Sequence, residues 1–234
     1  NMTVLPKNSP FMEEKLFTVK DPMSALTHLI GAVCSIFSMP VLLIHASQYD
    51  ATRMDLIAYM IFMLSMILLY SASTVYHSFS ISYKVNKILK KIDHMMIFIM
   101  IAGSYTPVAL IAVGGTKGLI LFASVWTMAI LGMIFKFCFV ACPKWVSSVI
   151  YTCMGWTCVF FMKDIVASIP FAGFMWLLAG GILYSVGAIV YAMKLSIFER
   201  PVHGFGNHEI FHCFVLAGSV CHFIFMYQYL VLLA

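Results

Sequence analysis

The chain has 234 residues, 62% of them hydrophobic and only 10% charged, with a formal net charge of +5. A soluble domain averages about 45–50% apolar and about 25% charged residues, and an interior of this size could not hide the excess apolar surface. A soluble enzyme, a secreted disulfide scaffold and a disordered tail are excluded. The basic residues fall between apolar blocks rather than in a patch, so nucleic acid is not expected as a partner.

A membrane-spanning helix needs about 20 mostly apolar residues. Residues 1–21 come first and are polar and amphipathic, with Ser9-Pro10 as a helix start. They predict a cytoplasmic tail carrying a short interfacial helix. With Glu13, Glu14 and three lysines, the first 20 residues hold no continuous apolar stretch, and no signal peptide is expected there. Seven apolar runs follow over 22–234, at 24–46, 54–77, 93–113, 118–140, 145–162, 170–193 and 208–232. They are too long and too continuously apolar for barrel strands, which alternate over about ten residues. The fold class expected is an all-α membrane protein, a seven-helix transmembrane bundle. The seven cysteines show no CxxC pair and sit mostly inside the apolar runs, so they read as small buried hydrophobes.

Orientation follows from lysine and arginine. Lys7, Lys15 and Lys20, Lys84, Lys87, Lys90 and Lys91, Lys136 and Lys144, and Lys194 and Arg200 share one side. Arg53, Lys117 and Lys163 lie on the other. The imbalance predicts a cytoplasmic N-terminus and an external C-terminus.

Ionisable groups inside a bilayer are functional candidates. The sharpest pattern is His208-Glu209-Ile210-Phe211-His212, opening the seventh run. Positions i and i+4 of a helix share a face with Cβ atoms about 5–6 Å apart, so both imidazoles can reach one ion. His77 ends the second run and Asp93 opens the third, which places both in the same layer. Three imidazoles and a carboxylate suit zinc with one position left for water. The metal set expected is His77, His208 and His212. Asp93 is the candidate general base, and Ser73, one turn before His77, is a candidate substrate-binding hydroxyl unless it bonds back to its own helix. The same string fits the H-E-x-x-H protease pattern, but its extended form needs a Gly and a His where Val215 and Gly218 stand. His28 is expected in a hydrogen-bonded packing role, His94 points about 100° from Asp93, and His222 lies about 15 Å deeper than His212.

At these residues the chain resembles the hemolysin III proteins, the bacterial branch of the progestin and adiponectin receptor family. The matching strings are Ser71-Ala72-Ser73-Thr74-Val75-Tyr76-His77-Ser78-Phe79, Lys91-Ile92-Asp93-His94 with Ala102-Gly103-Ser104-Tyr105-Thr106-Pro107, and His208-Glu209-Ile210-Phe211-His212 with Leu216-Ala217-Gly218-Ser219. The resemblance implies zinc held by His77, His208 and His212, with Asp93 reaching the metal through water and Ser73 in the S-x-x-x-H motif. It implies either a ceramidase-like hydrolase acting on a lipid amide or a pore-forming or membrane-homeostasis protein. The expected partners are membrane lipids and the expected location is the bacterial plasma membrane. Ahead of His28 the chain departs from the family pattern, with Pro22-Met23 where a Glu or Asn is expected.

Overall fold

The computed structural model describes residues 19–193 and 205–233. Most of the expected interfacial helix, with Lys7 and Lys15, lies outside the described residues, as do Lys194, Arg200 and His203.

Seven helical segments are long and apolar enough to cross a membrane. They are built from α1 (Pro22–Ser47), α2 (Arg53–Ser78), α3 (Tyr83–Pro107), α4 (Gly115–Cys138), α5 (Lys144–Gly155), α6 (Met162–Ser168), α7 (Phe171–Met193) and α8 (Asn207–Gln228). The chain is an all-helical, seven-span bundle. Neighbours in sequence are neighbours in space, and α1 packs against α8 to close the ring.

Local chemistry sets the boundaries. Pro22 opens α1, where its missing N–H costs nothing. Thr52 and Asp55 form a reciprocal capping box on α2, with the Thr52 N–H donating to Asp55 Oδ2 at 2.9 Å and the Asp55 N–H to Thr52 Oγ1 at 3.3 Å. The third span widens into a π turn at Val108–Val113 after Pro107. It then reverses through Gly114 and Gly115, at φ +62 and +53, a left-handed conformation that glycine adopts without strain.

Two spans differ from the sequence reading. The third begins at Tyr83, ten residues before its apolar run, so Asp93 lies well inside the helix rather than opening it. Lys84, Lys87, Lys90 and Lys91 ride on a helical extension of the span. The fifth is not one helix: α5 stops at Gly155, a 3-10 turn covers Thr157–Phe161, and α6 resumes. Breaking a helix at membrane depth frees backbone groups that lipid cannot satisfy. Tyr105 of α3 supplies both partners, its hydroxyl donating to the Gly155 carbonyl (2.5 Å) and accepting from the Cys158 N–H (2.9 Å).

The most enclosed spans are the second, third and seventh, with 50%, 61% and 44% of their apolar windows buried against 22–28% for the others. One core joins Tyr59, Phe62 and Met66 of α2 to Phe225 and Met226 of α8, and a second packs Phe98 and Ala102 of α3 on Leu121, Val125 and Ala129 of α4. Large apolar side chains such as Phe37, Leu131 and Phe160 face outward, where lipid replaces water as solvent. The three enclosed spans are also those that carry the candidate site.

Candidate metal centre

His77 ends α2, and His208 and His212 open α8, so chain direction alone delivers them to one end of the bundle. One ring nitrogen from each lies within 4.8 Å of the other two. His77 Nε2 and His208 Nε2 are 3.1 Å apart. Tetrahedral zinc with Zn–N bonds of about 2.0–2.1 Å places its nitrogens about 3.3 Å from one another. The cluster is therefore close to ligand spacing.

The opposite ring nitrogens decide which atoms are free. Asp21 Oδ2 accepts from His77 Nδ1 at 2.9 Å, and the Asp21 N–H donates to the His77 carbonyl at 2.8 Å. Burial raises the Asp21 carboxyl, but the hydrogen bond from His77 and the charge of Lys20 outweigh it and hold the group below the ordinary carboxylate value. Thr27 donates its hydroxyl hydrogen to the Ser24 carbonyl (2.9 Å), so toward His212 Nδ1, 3.1 Å away, its oxygen can only accept. Both imidazoles thus carry hydrogen on Nδ1 and present a bare Nε2 lone pair. A bare His77 Nε2 at 3.1 Å from His208 Nε2 either accepts a hydrogen from that ring or shares a metal ion with it. Orienting partners of this kind are the usual support of metal-bound histidine. The donor set fits a divalent metal that accepts imidazole, zinc among them.

Sequence reasoning named neither Asp21 nor Thr27. Their signal is visible in retrospect: Asp21 precedes the helix-opening Pro22, and Ser24 and Thr27 are hydroxyls spaced i, i+3 in an otherwise apolar run.

The other candidates take distinct places. Asp93 is buried and lines a cavity of about 180 Å³ together with Ser73, His208 and His212. The remaining wall is mainly apolar, with Leu69, Ile97, Phe174 and Leu177. The Ser73 hydroxyl is buried, does not bond back to its own helix, and lies within reach of the Asp93 carboxyl. His94, the next residue on the helix, also borders the wide cavity but is not one of the converging imidazoles. His28 is not hydrogen-bonded within the described residues. It stacks flat on His212, with ring centroids 3.5 Å apart and planes 9° from parallel. Face-to-face rings direct their nitrogens side by side, so His28 braces His212 and is not one of the converging ligands. His222 bonds the Leu177 carbonyl at 3.3 Å, deeper in the bundle and outside the cluster.

Glu209 does not act as the H-E-x-x-H pattern would have it. One oxygen accepts from Ser24 of α1 and the other from the Gly206 N–H at 2.9 Å, capping α8. The carboxylate is committed to holding α8 against α1 rather than to a water at the imidazoles.

Comparison with known proteins identifies the family. The family described as "Haemolysin-III related" matches residues 17–223. A "Hemolysin-3 homolog" of Bacillus subtilis (strain 168) is 41% identical over 218 residues, 92% of this chain and 97% of the relative. A "Hemolysin-3" of Bacillus cereus is 41% identical over 207 residues, 88% and 90% of the two chains. The matched region takes in all three histidines, Asp93 and Ser73. The chain is thus an integral membrane protein belonging to the haemolysin-III-related family.

Proposed function

We propose that the protein is a zinc-dependent hydrolase that cleaves the amide bond of a membrane lipid. The observation that carries this reading is the conjunction of three converging imidazoles with an open apolar cavity lined by a buried carboxyl and a neighbouring serine hydroxyl. His77, His208 and His212 would hold the ion, and three protein ligands leave a coordination position vacant, the mark of a catalytic rather than a structural zinc site. Bound zinc supplies a Lewis acid for an acyl oxygen and a water whose pKa falls to about 7. Asp93 accepts the proton of the attacking water and returns it to the departing amine. Ser73 hydrogen-bonds the polar head of the substrate, and the apolar wall sheathes the acyl chain and keeps bulk water out. The distribution of lysine supports a cytoplasmic N-terminus, which puts the site in the inner leaflet of the bacterial plasma membrane.

The names of the Bacillus relatives refer to haemolysis, and a lytic or sensing protein would use the same ion to tie the second span to the seventh. A structural site usually has four protein ligands. His28, the nearest further imidazole, is stacked rather than converging, which favours the open site.

The test is release of fatty acid from a long-chain ceramide by zinc-loaded protein in lipid nanodiscs. Asp93→Asn is expected to slow release by about 10²–10⁴-fold with zinc content unchanged. Full activity in Asp93→Asn, or no zinc bound by the unaltered protein, sinks the mechanism. Red-cell lysis that persists in Asp93→Asn without amide cleavage in the unaltered protein would establish the lytic role instead.

A further inference from the structure

The last turn of α4 holds a lysine where an apolar side chain would be expected. Lys136 is 1% exposed. Its Nζ donates to Ser147 Oγ of α5 at 2.5 Å and to Cys142 Sγ at 3.1 Å, and the two acceptors are themselves 3.3 Å apart. A buried ammonium is costly unless an anion pairs with it. Among the described residues, no carboxylate lies within ion-pair distance of Lys136. The Cys142 thiol is the acidic group in its reach. Burial pushes that thiol up, but the hydrogen bonds from Ser147 and Lys136 and the charge of Lys136 outweigh it and hold the thiol below its ordinary value. Ser147 is 2% exposed, whereas Cys142, in the connection between α4 and α5, is only partly buried. An incoming reagent therefore meets the sulfur and not the hydroxyl.

We propose that Lys136, Cys142 and Ser147 form a reactive thiolate site for hydroperoxides, the class that includes peroxidised lipid chains at the membrane surface. The Cys142 thiolate attacks the terminal oxygen of R–O–OH. An S–O bond forms and the O–O bond breaks, with its electron pair leaving on the alkoxide. The sulfur loses two electrons and becomes a sulfenic acid, and the peroxide gains them. Lys136, whose thiolate partner is consumed in the same step, donates a proton to the alkoxide, giving the alcohol R–OH. The site uses no residue of the histidine cluster.

The experiment treats the full chain in lipid nanodiscs with tert-butyl hydroperoxide and traps sulfenic acid with dimedone. Peptide mass spectrometry then reads each of the seven cysteines. Cys138 is the internal control, being exposed, at the end of the same helix and without a bond to Lys136. Cys142 is expected to label about tenfold faster than Cys138, because only Cys142 has the Lys136 ammonium against its sulfur. Lys136→Met is expected to remove most of that advantage and Lys136→Arg to retain it, with thermal melting confirming that each variant is folded. Equal labelling of Cys142 and Cys138 in the unaltered protein overturns the proposal and needs no variant. An unchanged Cys142 rate in folded Lys136→Met overturns it equally.

Discussion

The orienting bonds on two of the three imidazoles give the most direct measurement of whether the cluster is built for a metal. Asp21 holds His77 Nδ1 by a charge-assisted bond of 2.9 Å, but its side chain is 41% exposed, so solvent screens part of the interaction. A buried hydrogen bond to a charged group contributes about 1.5–3 kcal/mol. Screening favours the lower end, about 1.5 kcal/mol, which is about a tenfold change in affinity. Thr27 is buried and neutral, and its bond to His212 at 3.1 Å contributes about 1 kcal/mol, or about fivefold. Zinc affinity of the metal-free protein in detergent, measured by competition with a chromophoric chelator, should therefore fall in a set order. Asp21→Asn, which keeps an acceptor but loses the charge, should lie between the unaltered protein and Asp21→Ala, with Asp21→Ala weakened about tenfold and Thr27→Val about fivefold. The two residues act on separate rings, so the double variant should come near the product of the single effects. Unchanged affinity in Asp21→Ala would refute the reasoning, because a bare Nε2 on His77 would then owe nothing to its partner.

Three further outcomes follow from other contacts. Replacing His208 and His212 together by Ala should abolish zinc binding while His222→Ala leaves it intact, as elemental mass spectrometry of the purified proteins will show. Tyr105→Phe strands the Gly155 carbonyl and the Cys158 N–H at membrane depth, so it should cost about 1–3 kcal/mol and lower the melting temperature, whereas Tyr83→Phe on the exposed start of α3 should not. Glu209→Gln keeps one acceptor oxygen for the Gly206 N–H that caps α8, and its amide N–H can donate to the Ser24 hydroxyl in place of the lost second acceptor, so metal content and fold should survive. Loss of all activity with metal retained would instead make Glu209 a catalytic base.

Seven spans were legible in the sequence because a bilayer demands a fixed length of apolar chain and leaves little room for alternatives. Ligand convergence was legible for a related reason: His77, His208 and His212 lie at helix ends whose depth is set by chain direction. What escaped depended on contacts between spans. The break at Gly155 is sustained by Tyr105, fifty residues away. The early start of α3 was masked by Lys84, Lys87, Lys90 and Lys91, which lower hydropathy without weakening the helix. The bracing of His212 by His28, and the bonds from Asp21 and Thr27, depend on how α1 packs against α2 and α8, and no periodicity reports that.

The distance along the chain between the ligands bears on how the protein is made. His77 and His208 are 131 residues apart. At a synthesis rate of about 5–20 residues per second, His77 leaves the ribosome roughly 7–26 s before His208. During that interval the second span holds a single imidazole and the bundle has no last helix. A nascent chain is thus unable to assemble the three-imidazole set until the seventh span has inserted and met α1. Metal acquisition becomes a late checkpoint in biogenesis, and a truncated product stalled in the membrane carries no competent centre.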